Sequence, residues 1–258
     1  MTQKEYREAE GISRSELQLF RKSPAHDRFN KNHPQEKTKS LIFGSAAHKY
    51  ILERETFFDE FCVMPVVDRR TNEGKEIWAG FESLSVGKQV ISQDDMRVIL
   101  DMDSAIDRHP IARALLTGRT EQSFFWNDPD TDEICKCRPD VMTEWNGKKY
   151  IVDYKTTSSC QNGHFERSCK EYGYQLQAGM YQEGVFLNEF EDYGFIFVAQ
   201  EKTAPYSVRV YIATQDWIDL GNEEFKALLG LFHRCQEEGT FPGYEGFDNE
   251  VEYLTEGD

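Results

Sequence analysis

The 258-residue chain is 39% hydrophobic and carries 30 Lys and Arg against 46 Asp and Glu, a formal net charge of −16. No run approaches the roughly 18 to 20 apolar residues of a membrane span, the opening MTQKEYREAE lacks the apolar segment of a leader, and six cysteines without a CxxC pair are few for a disulfide scaffold. These features exclude a membrane-spanning or disulfide-stapled protein and predict one cytoplasmic α/β domain over residues 1–258, with added helices, reduced thiols and a sizeable core.

Charge is unevenly spread. From Arg14 to Lys39 seven Lys or Arg stand against three acids, a local balance of +4, whereas residues 239–258 hold six acids and no Lys or Arg. Net charge speaks to solubility while local patches govern binding. Residues 1–40 are therefore read as a basic helical arm, 41–236 as the core and 237–258 as an acidic tail. Within the arm, Ser13 to Glu16 is a capping box before Leu17 and Phe20, and Ser23-Pro24 is a cap with a first-turn proline, so two short helices open the chain.

A longer helix is predicted from about Leu41 to Arg54, with Ile42, Ala46 and Leu52 inward and Gly44 permitting close approach. His48 sits in its middle; by spacing alone, such a histidine is more often a packed residue than a ligand. Residues 57–88 show no sustained period and contain DRRTNEGK, read as a loop whose Arg69, Arg70 and Lys75 either touch phosphates or face water. Ser92 caps a helix to about Asp107, and Pro110 starts another ending near Gly118. A strand over 120–126 follows, with Glu121 at its start as either a third site carboxylate or an exposed strand-end residue, and Asp128-Pro129-Asp130 makes the turn after it.

Asn146-Gly147 then marks a hairpin, because both residues tolerate positive φ. With a two-residue loop Trp145 faces Lys148 and Asp140 faces Asp153, while period-two alternation puts Lys155 on the face of Asp153. Opposed carboxylates repel, so a cation belongs between them, and carboxylate oxygens with a phosphate-ester substrate suit Mg²⁺. Pro139 falls on a hydrogen-bonded rung where it cannot donate, which predicts that the strands part there and open a gap beside Lys155. Cys135 and Cys137 fall on the opposite hairpin face as core packing. A helix over about 172–188 places Gln177 and Tyr181 on one face, with Gly179 and Gly184 suggesting tight packing on the sheet. Strands over 193–200 and 207–213 and a helix over 215–237 complete the chain.

Arg138-Pro139-Asp140, twelve intervening residues, then Asp153-Tyr154-Lys155 resembles the PD-(D/E)XK nuclease signature. Taken with SRSELQLFRKSPAH, GSAAHKYIL, EQSFFW, CKCRPD, VDYKTT and YQLQAGMY, the stretch from about Ser13 to Tyr181 is similar to the RecE-like (exonuclease VIII-type) exonucleases, often phage-borne, and more distantly to the RecB and lambda exonuclease branches. The iron-sulfur cysteine pattern of some RecB-like relatives is absent. The resemblance implies a restriction-endonuclease-like core, with a central mixed β-sheet flanked by helices and extra N-terminal helices.

For the site, the resemblance implies His48, Asp140 and Asp153 as metal ligands with help from the Tyr154 carbonyl, and Lys155 beside the attacking water. Glu121 matches a family acidic position. Gln177 and Tyr181 match a helix lining the DNA channel, and Arg69, Arg70, Lys75 and Arg138 are assigned to backbone contacts. The expected cofactor is Mg²⁺, with Mn²⁺ able to substitute. The expected activity is 5′ to 3′ digestion of linear double-stranded DNA from its ends, leaving 3′ overhangs for a single-strand annealing protein in recombination. A ring-shaped trimer or tetramer in the host cytoplasm is the expected assembly. Two alternatives are a structure-specific or restriction-type endonuclease on the same fold, and a non-catalytic DNA mimic that uses the −16 charge to occupy a basic partner.

Overall fold

The computed structural model describes residues 1–33 and 38–248, so residues 34–37 of the predicted arm and 249–258 of the predicted tail lie outside the described residues. The chain opens with α1 (Gln3–Glu8), β1 (Ile12–Ser13), α2 (Arg14–Phe20), α3 (Pro24–Asn32) and α4 (Lys39–Leu52). Next come α5 (Phe57–Glu60), β2 (Phe61–Val63), α6 (Asn72–Leu84), β3 (Gln89–Ile91), α7 (Gln93–Arg108) and α8 (Ala112–Leu115). Four strands follow, β4 (Arg119–Thr120), β5 (Phe124–Asn127), β6 (Ile134–Cys137) and β7 (Val141–Trp145), and then β8 (Lys148–Thr157). The last elements are α9 (Asn162–Glu171), α10 (Tyr174–Glu189), β9 (Gly194–Glu201), β10 (Val208–Ile212) and α11 (Gln215–Glu238).

The central sheet is mixed, in the order β10-β9-β8-β7-β4, with β8 and β9 parallel and the other neighbours antiparallel. Parallel neighbours need a crossover, and α9 and α10 supply it. Beneath α10 and α11 lies a core that includes Ile151, Leu176, Phe195, Phe197 and Phe225. The opposite face buries Val141, Val152, Tyr154 and Ile196 against Ile51, Ile106 and Leu115 of α4, α7 and α8. Strands buried on both faces have little room for polar side chains, which makes Asp153, 1% exposed, conspicuous. The architecture is the restriction-endonuclease-like one, with α1 to α3 as the extra N-terminal helices. Among the described residues no helix is long and apolar enough to cross a membrane.

Several expectations are corrected. The predicted strand over 120–126 is two strands in two sheets, because Glu121 takes φ +53° and breaks the extended run. The run before the Asn-Gly turn is likewise split: β6 joins a β1-β6-β5 sheet while β7 pairs with β8. Face parity therefore does not carry across Pro139. Cys135 and Cys137 do pack in the core, but on the α10 side that Asp153 also faces. The DRRTNEGK segment is not wholly loop, since the Thr71 hydroxyl caps α6. The helix after Pro110 shortens to four residues, and α9 forms in a stretch between Lys155 and residue 172 for which no element was predicted. Gly179 packs not on the sheet but on α11, where a Cβ would run into the backbone of Gly221 and Asn222.

Candidate metal centre

The β7–β8 ladder runs from Trp145↔Lys148 to Val141↔Val152. Asp140 is the next residue and therefore stands opposite Asp153. The ladder stops there, as proline on the following rung requires. The Tyr154 N–H, which would have bonded the main chain of Pro139, instead donates to Asp140 Oδ2 at 2.8 Å. On the other side, the Glu121 N–H donates to the Asp140 carbonyl at 3.0 Å, so the left-handed turn at Glu121 brings its carboxylate alongside.

His48 enters from α4. Its Nε2 lies 2.9 Å from Asp140 Oδ2 and its Nδ1 3.6 Å from Glu121 Oε1. Ligand-capable atoms of His48, Glu121 and Asp140 all lie within 4.8 Å of one another. Asp153 lies outside that group: its Oδ2 is 2.6 Å from Lys155 Nζ, and its Oδ1 accepts from Gln177 Nε2 of α10. Lys155 Nζ also stands 4.8 Å from the centre of the Tyr174 ring.

The electrostatics of this patch are strained. Burial opposes ionisation of Asp140, but the His48 charge and hydrogen bond, Lys155 and the Tyr154 amide outweigh it and hold the carboxyl below its usual range. Burial pushes Asp153 up, and the Asp140 charge adds to this against the pull of Lys155. Glu121 is raised by burial and by the Asp140 charge in spite of His48 and Arg138. Burial works against the charged imidazole of His48, yet Asp140 and Glu121 carry it up to about 9. Gln177 Oε1 is buried without a hydrogen-bond partner, and Asp153 Oδ2 is met only by the Lys155 ammonium. Crowded carboxylates, two of them driven toward the neutral form, and an orphaned buried oxygen beside them fit a divalent cation.

The remaining predicted residues divide. Gln177 reaches Asp153, and Tyr181, one turn along α10, lines an open cleft of about 1340 Å³ together with His48, Glu121, Arg138 and Asp140. The Tyr154 side chain points to the other face, where its hydroxyl donates to Gln200 Oε1 at 2.6 Å. Arg138 is not an open phosphate contact: its side chain is 9% exposed, with Nε 2.5 Å from Glu121 Oε2 and Nη1 2.7 Å from Ser123 Oγ. It positions Glu121. Arg69, Arg70 and Lys75 do not line the cleft; Arg69 stacks on Trp78 at 4.0 Å and Arg70 pairs with Asp68. Tyr174 is the residue that sequence reading missed, although its place one turn before Gln177 on α10 put it on the same helix face.

A family model described as "PDDEXK-like domain of unknown function (DUF3799)" matches residues 13–255. No curated protein matches the sequence. Among solved structures, a protein from Eubacterium rectale described as a "Putative exonuclease" is similar over 99% of this chain and 95% of its own, at 17% identity and a TM-score of 0.67, a likeness of fold. Another, SSO0001, spans 84% of this chain and 86% of its own at 12% identity and a TM-score of 0.31, too low to carry weight.

Proposed function

Because the chain belongs to the PDDEXK-like family, we propose that it is a Mg²⁺-dependent nuclease that hydrolyses phosphodiester bonds of DNA, with Asp140, Asp153 and Lys155 as its catalytic set. The observation that carries this reading is the convergence of those three residues with His48 and Glu121 on one patch, of which His48, Glu121 and Asp140 line an open cleft and Asp153 and Lys155 stand directly behind. His48, Asp140 and Glu121 hold the cation, with Asp153 and the Tyr154 carbonyl as further ligands by resemblance to related enzymes. When bound, Mg²⁺ supplies an acidified water and neutralises phosphate charge. Lys155, fixed by Asp153 and by the Tyr174 ring, places a positive charge where the pentacovalent phosphate develops. Gln177 keeps Asp153 turned toward that lysine, and Arg138 keeps Glu121 turned toward His48.

The finer reading is a RecE-like exonuclease that works 5′ to 3′ from the ends of linear double-stranded DNA and leaves 3′ overhangs for an annealing partner. It acts as a ring-shaped homo-oligomer. The motif pattern and the exonuclease description of the Eubacterium rectale relative support it. The test incubates linear and covalently closed circular duplex with wild type, Asp153→Ala and Lys155→Ala in Mg²⁺. Wild type should degrade the linear form and spare the circle, and both variants should lose at least about 100-fold in rate, the scale of removing one preorganised charge. Equal digestion by all three proteins would sink the site. Cleavage of the circle would replace the exonuclease reading with an endonuclease.

A further inference from the structure

One end of the cleft carries cations that the fold does not pair. β8 rises about 3.3 Å per residue, so Thr157 stands about 7 Å beyond Lys155 on the same face of the strand. Lys202, just past β9, is fixed there because its N–H donates to the Thr157 carbonyl at 3.2 Å. Its Nζ reaches only a hydroxyl, Ser40 Oγ, at 3.3 Å. Arg167 of α9 lines the same cleft and has no hydrogen-bond or ion-pair partner among the described residues. His164, one turn earlier, lies 3.3 Å through Nε2 from Ser158 Oγ, and its Nδ1 is buried with no partner.

The facing wall is α4, which presents Ser40 and Gly44 on the way to His48. A Cβ on Gly44 would stand 3.6 Å from Thr156 Oγ1, so the glycine leaves that much more width between α4 and β8. Elsewhere around the cleft Lys49 is paired with Glu53 and Glu60 and Arg138 with Glu121, Arg14 and Lys136 donate to main-chain carbonyls, and Arg7 lies on the α1 side. In a chain of net charge −16, Lys202 and Arg167 stand together at the end of a hydroxyl-lined trough with no carboxylate paired to either.

We infer that this trough is a second phosphate subsite, holding the backbone phosphate adjacent to the reacting one. Lys202 and Arg167 supply charge, and Ser158 and His164 supply hydrogen bonds. The subsite rests on the nuclease reading for the identity of its anion, and its residues are positioning residues. They set how far a strand is threaded past Lys155, and so where along the strand the cut falls.

The test measures binding of a labelled single-stranded oligonucleotide in Ca²⁺ across a salt series, with Mg²⁺ digestion run in parallel. Removing one or two phosphate contacts from a single strand should reduce the slope of log K against log salt by about 0.7 to 1.4. The Arg167→Ala/Lys202→Ala double variant should show that loss. Arg97→Ala, which removes an exposed charge on α7 outside the cleft, should leave the slope unchanged, and Arg167→Lys should retain it. In digestion, a neutral methylphosphonate linkage beside the cut should slow wild type but make little difference to the double variant. An unmoved slope in the double variant overturns the subsite, even where Lys155→Ala is dead and the nuclease reading stands. A lost slope with equal digestion by wild type and Lys155→Ala keeps Lys202 and Arg167 as phosphate contacts and overturns Lys155 as the reacting centre beside them.

Discussion

Glu121 and Arg138 show how a single side chain holds the site in shape. The two are each 9% exposed, and the carboxylate is pinned by the guanidinium on one oxygen while the other faces His48. Removing one member of a buried pair typically costs about 3–5 kcal/mol, because the other is left charged and unpaired. Arg138→Met should therefore lower stability on that scale in denaturant titration, and Glu121→Gln/Arg138→Met should recover most of it. Asp128 gives a pH test away from the centre. Burial opposes its ionisation, but the Lys226 ion pair and the Thr131 hydroxyl and amide hold it below the ordinary carboxylate range. An Asp in an unfolded chain releases its proton near pH ~3.9. The Asp128 contribution is thus complete above that value and is lost as pH falls through the lower folded value. Asp128→Asn should flatten the acid side of the stability profile and leave the neutral side parallel to wild type.

At the scale of elements, α10 and α11 cross closely at Gly179 and Gly221, where an added Cβ on either would run into backbone of the other helix. Gly179→Ala should destabilise by at least about 1–3 kcal/mol, since the neighbour is backbone that cannot rotate away. Gly230 on the same α11 has open space around it, so Gly230→Ala should stabilise by about 0.5–1 kcal/mol through helix propensity. Chemical denaturation of the pair separates packing from propensity. The elements also divide by how readily the sequence betrays them. The caps at Ser13, Ser23 and Ser92 and the register of the Asn-Gly hairpin were legible, because each depends on residues within a few positions of one another. Two separations were not legible. Glu121 is no glycine or asparagine, so nothing local announced its left-handed turn, and the passage of the chain between two sheets at Pro139 depends on β1 and β5 arriving from elsewhere. His48 was likewise invisible to spacing; only the motif around it marked it, and α4 carries it to Asp140 from far along the chain.

For the molecule as a whole, the crowded acids predict that metal and stability are linked. A ligand at 100 times its dissociation constant stabilises a folded protein by about 2.7 kcal/mol. Mg²⁺ should therefore raise the melting temperature of wild type and chelation should reverse it, while Asp140→Asn and His48→Ala should show little response. Calorimetry with and without Mg²⁺ reads this directly. The position of Pro139 has one more outcome for the entire chain. A strand residue points its N–H and its carbonyl to the same side, so where the Tyr154 N–H turns to Asp140 the proline withholds the donor that the Tyr154 carbonyl would have received. The amide is a clamp on a carboxylate because pairing has ended, and the missing proline hydrogen leaves the carbonyl facing the same gap without its ladder donor. Pro139→Ala would return that hydrogen, and the hairpin would be free to zip one rung further. Such a variant should melt no lower than wild type and yet bind Mg²⁺ less tightly, a protein made more regular at the expense of its site.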